Sequence, residues 1–336
     1  MNSTESNTEL PATAVADAPS PRVGATEPAG AGSLYRHLVA MARGLDAVRM
    51  AVVYPVDAPS LAGAVEAAQA GLIEPVLIGP PARIYEAARS ARIDVAPYRI
   101  VAADHAEQAA SQAVALARAG QVEAIMKGAL HTDELLRAVV DGHDGLRTDR
   151  RISHVFVIDA PAYPRPLLIT DAAVNVRPTL TEKRDIVQNA IDLALVLGIA
   201  EPCVAILSAV ETVTEALPAT IDAAALCKMA DRGQIRGGVL DGPLAFDNAV
   251  SAQSAQTKGI ASSVAGRADI LVVPDLEAGN MLAKELEYLG QARIAGIVVG
   301  ARVPIVLTSR ADGTLARLTS CAVALLMARR AGGGEA

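Results

Sequence analysis

At 336 residues, 51% of them hydrophobic, the chain carries enough apolar surface for two domains, which excludes disorder throughout. A net charge of −7, with no Trp and two Phe, excludes the basic, aromatic-rich surface by which proteins hold nucleic acid. Three scattered cysteines in apolar contexts, Cys203, Cys227 and Cys321, predict free buried thiols in a reducing compartment, and no zinc-site spacing is present.

Residues 1–32 lack the basic start and long apolar run of a signal peptide. Their Ala/Pro/Ser/Thr/Gly composition predicts a disordered tail, because it offers too little apolar surface to offset ordering entropy. No later window is apolar for long enough to span a membrane, so a soluble, cytoplasmic protein is expected.

From residue 33 onward, short β-branched runs alternate with Ala-rich segments of helical period. Strands are predicted at "RMAVVYPV", "EPVLIGP", "YRIVAA" and "VEAIMKG", with helices between them, two of which stop at Gly71 and Gly120. After the polar stretch "DGHDGLRTDRR" come the strands "SHVFVIDAP" and "PLLITDAAV" and the helix "LTEKRDIVQNAIDLALVLGI". The strand "CVAILSA", the helix "TIDAAALCKMADRG" and the strands "GGVLDG" and "ADILVVPD" follow. Such alternation predicts α/β units built on parallel sheets covered on both faces. The last strands, "AGIVVG" and "PIVLTS", and the helix "TLARLTSCAVALLMARR" fit either unit.

Ligands of open α/β sheets gather at the carboxyl ends of strands, so the residues standing there are the candidates. Lys127 follows "AIM", Asp171 follows "LLIT", Asp241 follows "GGVL", Asp275 follows "LVVP", and Ser309–Arg310 follow "IVLT". In "VPDLEAGN", Asp275 either caps the next helix or, with Gly279 and Asn280, lines a cleft. In "MKGALHTDEL", His131 and Thr132 stand near a helix start; Leu135 three residues after Thr132 makes no capping box there, which leaves the hydroxyl free for a ligand. Arg147, Arg150 and Arg151 in "GLRTDRR" read either as a solvated face or as bidentate phosphate contacts. Asp171 and Asn175, four apart before Pro178, suit a capped turn or polar groups held toward a cleft. No P-loop and no G-x-G-x-x-G after the first strand is found, and no metal-ligand spacing.

Taken together, "MKGALHT", "TDAAVNVRPT", "DGPLAFDNAV", "VAGRADILVVPDLEAGN" and "LTSRAD" resemble the phosphate acetyltransferase and phosphate butyryltransferase family over roughly residues 35–330. The resemblance implies two α/β/α domains with the active site in the cleft between them, related in fold to isocitrate and isopropylmalate dehydrogenases. On that reading residues 33–150 and 296–336 form the first domain and 151–295 the second, with 1–32 as the tail. It implies conversion of acyl-CoA and phosphate to acyl phosphate and CoA by direct attack in a ternary complex. Coenzyme A is then a substrate, no cofactor or metal is called for, and a homodimer is expected.

Carried over by motif, the resemblance has Ser309 meet the CoA sulfur and Arg310 bind the phosphoryl group. Arg147 matches a second phosphate-binding arginine more loosely. The acetyl branch has an aspartate six residues after that Ser-Arg pair's arginine; here the position is Ala316, and Asp312 is the substitute base. "SRAD", "MKG" and "GLRT" resemble the butyryl branch. The remaining candidate substrate contacts are Lys127, His131, Thr132, Asp171, Asn175, Asp275, Gly279 and Asn280. The same expected fold leaves open an isocitrate-type oxidoreductase, and the missing acetyl-branch aspartate leaves open a non-catalytic binder of CoA or acyl phosphate.

Overall fold

Connection length decides strand direction. A dozen or more residues let a helix carry the chain back for a parallel partner, whereas a few residues make an antiparallel hairpin. The computed structural model of the protein describes residues 33–307 and 313–331. Its first strands, β1 (Val48–Val53), β2 (Ile73–Gly79), β3 (Arg99–Ala102) and β4 (Ala124–Lys127), alternate with α2 (Ala58–Gln69), α3 (Pro81–Ala91) and α4 (Ala106–Arg118), and they pair in parallel. Gly71 and Gly120 follow α2 and α4 with φ of 72° and 67°, left-handed conformations that end a helix without a β-carbon penalty.

β5 (Ser153–Asp159) and β6 (Leu167–Thr170) are joined only by residues 160–166, and β10 (Arg293–Val299) and β11 (Ile305–Val306) only by residues 300–304. Both pairs are antiparallel, as is β10 with β5. The expectation of purely parallel sheets is corrected on this point. β7 (Cys203–Leu207), β8 (Val239–Leu244) and β9 (Ile270–Val272) complete a single mixed sheet of order β3-β2-β1-β4-β11-β10-β5-β6-β9-β7-β8. β1–β4, β11 and β5 run one way, while β6 to β10 run the other. The two last strands thus join one sheet in its centre.

The strand period of two sends alternate residues to opposite faces, and the two faces differ. On the first, one continuous core spans the whole sheet: Met50, Leu77, Met126, Ile297, Val155, Leu168 and Val204 from the strands. Covering it are Leu38 of α1 (Ser33–Ala42), Leu61 of α2, Ile191 of α6 (Leu180–Val196), Leu226 of α7 (Pro218–Asp231) and Leu325 of α11 (Thr314–Ala331). Each such large side chain contributes about 1.5–3 kcal/mol on burial.

On the second face the core is split. One cluster packs Val53, Ile125, Val298 and Ile305 against α4 and against α5 (Thr132–Val139). The other packs Ile158, Ile169, Ala205 and Leu271 against α8 (Phe246–Val250) and α10 (Leu276–Tyr288), with the short α9 (Ala252–Thr257) alongside. The seam between them runs over the middle of the sheet.

The thiols are free: Cys203 and Cys321 are buried and Cys227 is half-buried. Burial pushes Cys227 and Cys321 up to about 12, which makes both unreactive. Among the described residues no helix is long and apolar enough to cross a membrane.

Candidate active site

The seam on the second face is where polar groups collect. β4 reads Ala124, Ile125, Met126, Lys127, and alternation places the lysine on the side of Ile125. Lys127 is buried, and its Nζ donates to the carbonyls of Gly128 at 3.2 Å and Leu130 at 3.1 Å. Gly128 itself admits no side chain, since a β-carbon there would sit 2.4 Å from the Val53 carbonyl oxygen. His131, Thr132 and α5 follow directly. The helix begins one residue earlier than the Thr132 reading assumes: His131 is its N-cap, and the Glu134 carboxylate accepts the His131 N–H at 2.8 Å. Thr132 indeed makes no capping box, and the Glu134 contact to the N-cap backbone is set one position upstream of it. Thr132 is half-buried in the first turn.

At the other side of the seam the end of β6 makes a closely bonded turn. Asp171 is buried, and its oxygens accept the N–H groups of Ala173 at 2.9 Å, Val174 at 3.0 Å and Asn175 at 3.2 Å, and the Asn175 amide at 2.5 Å. Asn175 in turn donates to the Ile152 carbonyl at 2.9 Å and accepts from the Arg151 guanidinium at 2.6 Å. Arg151 continues to Glu182 at 3.1 Å. A hydrogen bond from the Thr179 N–H holds the Glu182 carboxyl below its ordinary value, with the Arg151 charge adding to it. Asp171, Asn175, Arg151 and Glu182 therefore form one chain of partners, running carboxylate, amide, guanidinium, carboxylate. Arg150 is turned away from it and pairs with Asp192.

α10 buttresses this turn. Asp275 is its N-cap and accepts the Ala278 N–H at 2.9 Å. Asn280 donates to the Ala172 carbonyl at 3.3 Å. Gly279 lies against the turn so closely that a β-carbon would stand 2.9 Å from Ala172 Cβ and 2.7 Å from Val273 Cγ2. Gly279→Val should therefore lose about 1–3 kcal/mol by overpacking, read as a lower urea midpoint at unchanged m-value. A midpoint at or above wild type would show that α10 can retreat from the turn without cost.

The sequence-predicted residues thus fall into two groups. Lys127, His131 and Thr132 stand at the carboxyl end of β4, while Asp171, Asn175, Asp275, Gly279 and Asn280 form one block at the ends of β6 and β9. Because β4 and β9 run in opposite directions, these strand ends do not share one edge of the sheet. Arg147 is an exposed residue bridged to Ala301 beyond the end of β10. Ser309, Arg310 and Asp312 lie outside the described residues, between Leu307, which packs on the second face, and Gly313 ahead of α11.

Sequence reasoning missed His154 and Gly296. His154 is buried within β5, its ring edge-on to Phe156 with centroids 4.4 Å apart. Burial pushes its pKa down to about 4, against the pull of the Asp171 charge, so the ring is neutral at pH 7. Gly296 of β10 lies under it: a β-carbon there would be 2.9 Å from His154 Nε2 and 3.1 Å from the Leu307 carbonyl oxygen. The available signal was a polar residue at an inward position of the apolar run "SHVFVID".

A family model described as phosphate acetyl/butaryl transferase matches residues 101–325. The chain is 59% identical over 298 residues to the phosphate acetyltransferase of Rhizobium meliloti, covering 89% of this chain and 94% of that one. It is 40% identical over 282 residues to the phosphate butyryltransferase of Clostridium beijerinckii, covering 84% and 93%. Among solved structures, a branched-chain phosphotransacylase from Enterococcus faecalis V583 superposes with a TM-score of 0.74 at 28% identity, covering 84% of this chain and 99% of that one.

Proposed function

The chain belongs to the phosphate acetyl/butyryl transferase family, and from that premise we propose that it transfers the acyl group of acyl-CoA to inorganic phosphate, with acetyl-CoA as the preferred donor. The observation that carries this reading is the identity with the Rhizobium meliloti acetyltransferase, which extends over nearly all of both chains and exceeds that with the butyryltransferase. Initial rates of phosphate-dependent CoA release across acetyl-, propionyl- and butyryl-CoA test it. The expected result is the highest kcat/KM with acetyl-CoA; butyryl-CoA as the best donor would reverse the chain-length assignment, and no release with any donor would remove the activity.

In the reaction a phosphate oxygen attacks the thioester carbonyl, the carbon–sulfur bond breaks, and the sulfur leaves with its electron pair to be protonated. In reverse, the CoA thiol must lose a proton from a resting pKa near ~8.5 while both reactants are held in line. Ser309 donates to the developing thiolate, Asp312 exchanges the proton, and Arg310 clamps the phosphate with two N–H groups. Arg147 supplies a second phosphate contact. The family resemblance supports these roles. Substrate contacts from the groups following Lys127 and from the block around Asp171, which end at opposite edges of the sheet, are proposed on the family resemblance alone.

Arg310→Lys should lose most of its turnover and raise the phosphate KM while the melting temperature stays near that of wild type, because an ammonium cannot reproduce the planar two-donor contact. Wild-type turnover and phosphate affinity in that variant would take Arg310 out of the mechanism.

The same reading divides the chain into a first unit of residues 33–150 with 296–336 and a second of 151–295, supported by the split core of the second face. It also makes the protein a cytoplasmic homodimer. Met281, Tyr288 and Leu289 are exposed along one side of α10 and provide apolar contact area. Light scattering should give twice the chain mass of 34.5 kDa.

A further inference from the structure

Tyr54 directly follows β1 and adopts a φ of 57°, in the left-handed region that an aromatic residue disfavours. Glycine at this turn would carry no such strain. The backbone there is engaged on both sides: the Tyr54 N–H donates to the Ile78 carbonyl at 2.7 Å, and the Tyr54 carbonyl accepts the N–H groups of Val56 and Ala129, both at 2.9 Å. Ala129 belongs to the segment after Lys127, so Tyr54 is tied to the proposed substrate contacts at the end of β4.

The side chain is half-buried, and a β-carbon at Gly79, the last residue of β2, would touch its ring at 3.6 Å. Arg83, exposed in the first turn of α3, reaches the same ring. Its Nη1 donates to Tyr54 Oη at 2.6 Å, and its guanidinium carbon lies 5.4 Å from the ring centroid. Among the described residues no carboxylate pairs with Arg83. The phenol accepts one N–H from Arg83 and retains its own proton for donation, so further guanidinium N–H groups and one O–H stand together. A single exposed hydrogen bond returns less stability than a left-handed aromatic residue costs, and strained residues of this kind concentrate at ligand sites.

Such donors suit a phosphate, which accepts the paired N–H groups of a guanidinium. Position selects which phosphate. β2 stands three strand spacings from β11 in the order β2-β1-β4-β11, about 14 Å at ~4.8 Å per strand. Of the two proposed reactants, inorganic phosphate and a CoA thioester, the thioester is the elongated one, and it carries its phosphates at the end remote from the sulfur.

We propose that Tyr54 and Arg83 form a subsite for the phosphate-bearing nucleotide end of coenzyme A, with Tyr54 held left-handed so that its hydroxyl and the Arg83 guanidinium meet at the carboxyl edge of β1 and β2. The identity of the ligand rests on the acyltransferase reading above.

The test compares wild type with Arg83→Ala, Tyr54→Phe and the double variant. Calorimetric titration with CoA is the first readout. The CoA Kd should rise about 10-fold in Arg83→Ala and about 3-fold in Tyr54→Phe, in keeping with a charge-assisted contact at a partly exposed place. The two effects should not add in the double variant, since both act on one contact. The melting temperature of Arg83→Ala should stay near that of wild type. The second readout is kinetic: the acetyl-CoA KM should rise in step with the CoA Kd, with kcat and the phosphate KM little changed. Acetyl-pantetheine, which keeps the thioester and lacks the nucleotide, should show the same kcat/KM in wild type and all variants.

An unchanged CoA Kd in Arg83→Ala overturns the proposal whatever the activity. Equal losses with acetyl-CoA and acetyl-pantetheine also overturn it, by reducing the pair to a structural contact. So does a raised KM for inorganic phosphate alone, which would place the reacting phosphate at Arg83. If Arg83→Ala does not fold, Arg83→Gln, which keeps most of the stem and removes the charge, decides in the same way. A wild-type protein that binds CoA but releases none from any donor would overturn the proposed function, while the Kd comparison would still decide the subsite.

Discussion

Asp171→Ala should unfold at a far lower urea concentration than wild type, with a loss of roughly 3 kcal/mol or more. Four donors converge on this one side chain, three of them backbone N–H groups of the turn that follows β6. Removing the acceptor leaves those donors unpaired in a buried setting, at about 1–3 kcal/mol for each group that water does not reach. Asp275→Ala is the internal comparison. It deletes a single N-cap contact to Ala278 and should cost only about 1 kcal/mol. If Asp171→Ala proved no more costly than Asp275→Ala, the turn would be held by α10 packing instead of by the carboxylate.

The largest expected kinetic effect belongs to Asp312. On its proposed role of taking the thiol proton, replacing it by Asn should lower acyl-phosphate thiolysis by about 10²–10⁴-fold, the range of a general base. Part of that loss should return as pH rises toward and beyond the thiol pKa, because thiolate then forms without help. Ser309→Ala should behave differently, with a loss at every pH and little rescue by alkali, since it removes a donor to the thiolate. A rate and pH profile for Asp312→Asn matching wild type would move the proton-accepting role elsewhere. Of the other candidates, Asp171 and Asp275 already accept hydrogen bonds from the backbone, whereas His131 is exposed, so His131 would be examined next.

Much of this architecture was legible in the residues. The β-branched runs of β1 to β4 and the glycines after α2 and α4 marked their elements well, because burial on both faces and left-handed helix ends each demand particular residue types. Strand direction in the middle of the sheet was not legible from pattern, since "SHVFVIDAP" and "PLLITDAAV" look like any buried strands. The short link between them carried that information. α8 and α9 were missed because five or six residues are too few to show a 3.6-residue period. At the site, Asp171, Asn175, Gly279 and Asn280 were singled out separately, and only the fold shows that they form one bonded block. His154 escaped notice because the space its ring fills lies over Gly296, which pairs with Phe156 on the neighbouring strand, and the absence of a side chain at position 296 has no meaning until β10 lies beside β5.

The unbroken core on the first face has a mechanical consequence. α11 packs on α2, on β10 and on α6, and Arg330 donates to the Leu195 carbonyl at 2.6 Å. Swinging one half of the molecule away from the other would have to tear this layer, exposing side chains such as Leu325 and Val187 at about 1.5–3 kcal/mol each. The first face therefore acts as one stiff layer that ties both halves of the sheet together. On the proposed reading, admission of reactants would fall to the loops and short helices of the second face, where the core is divided.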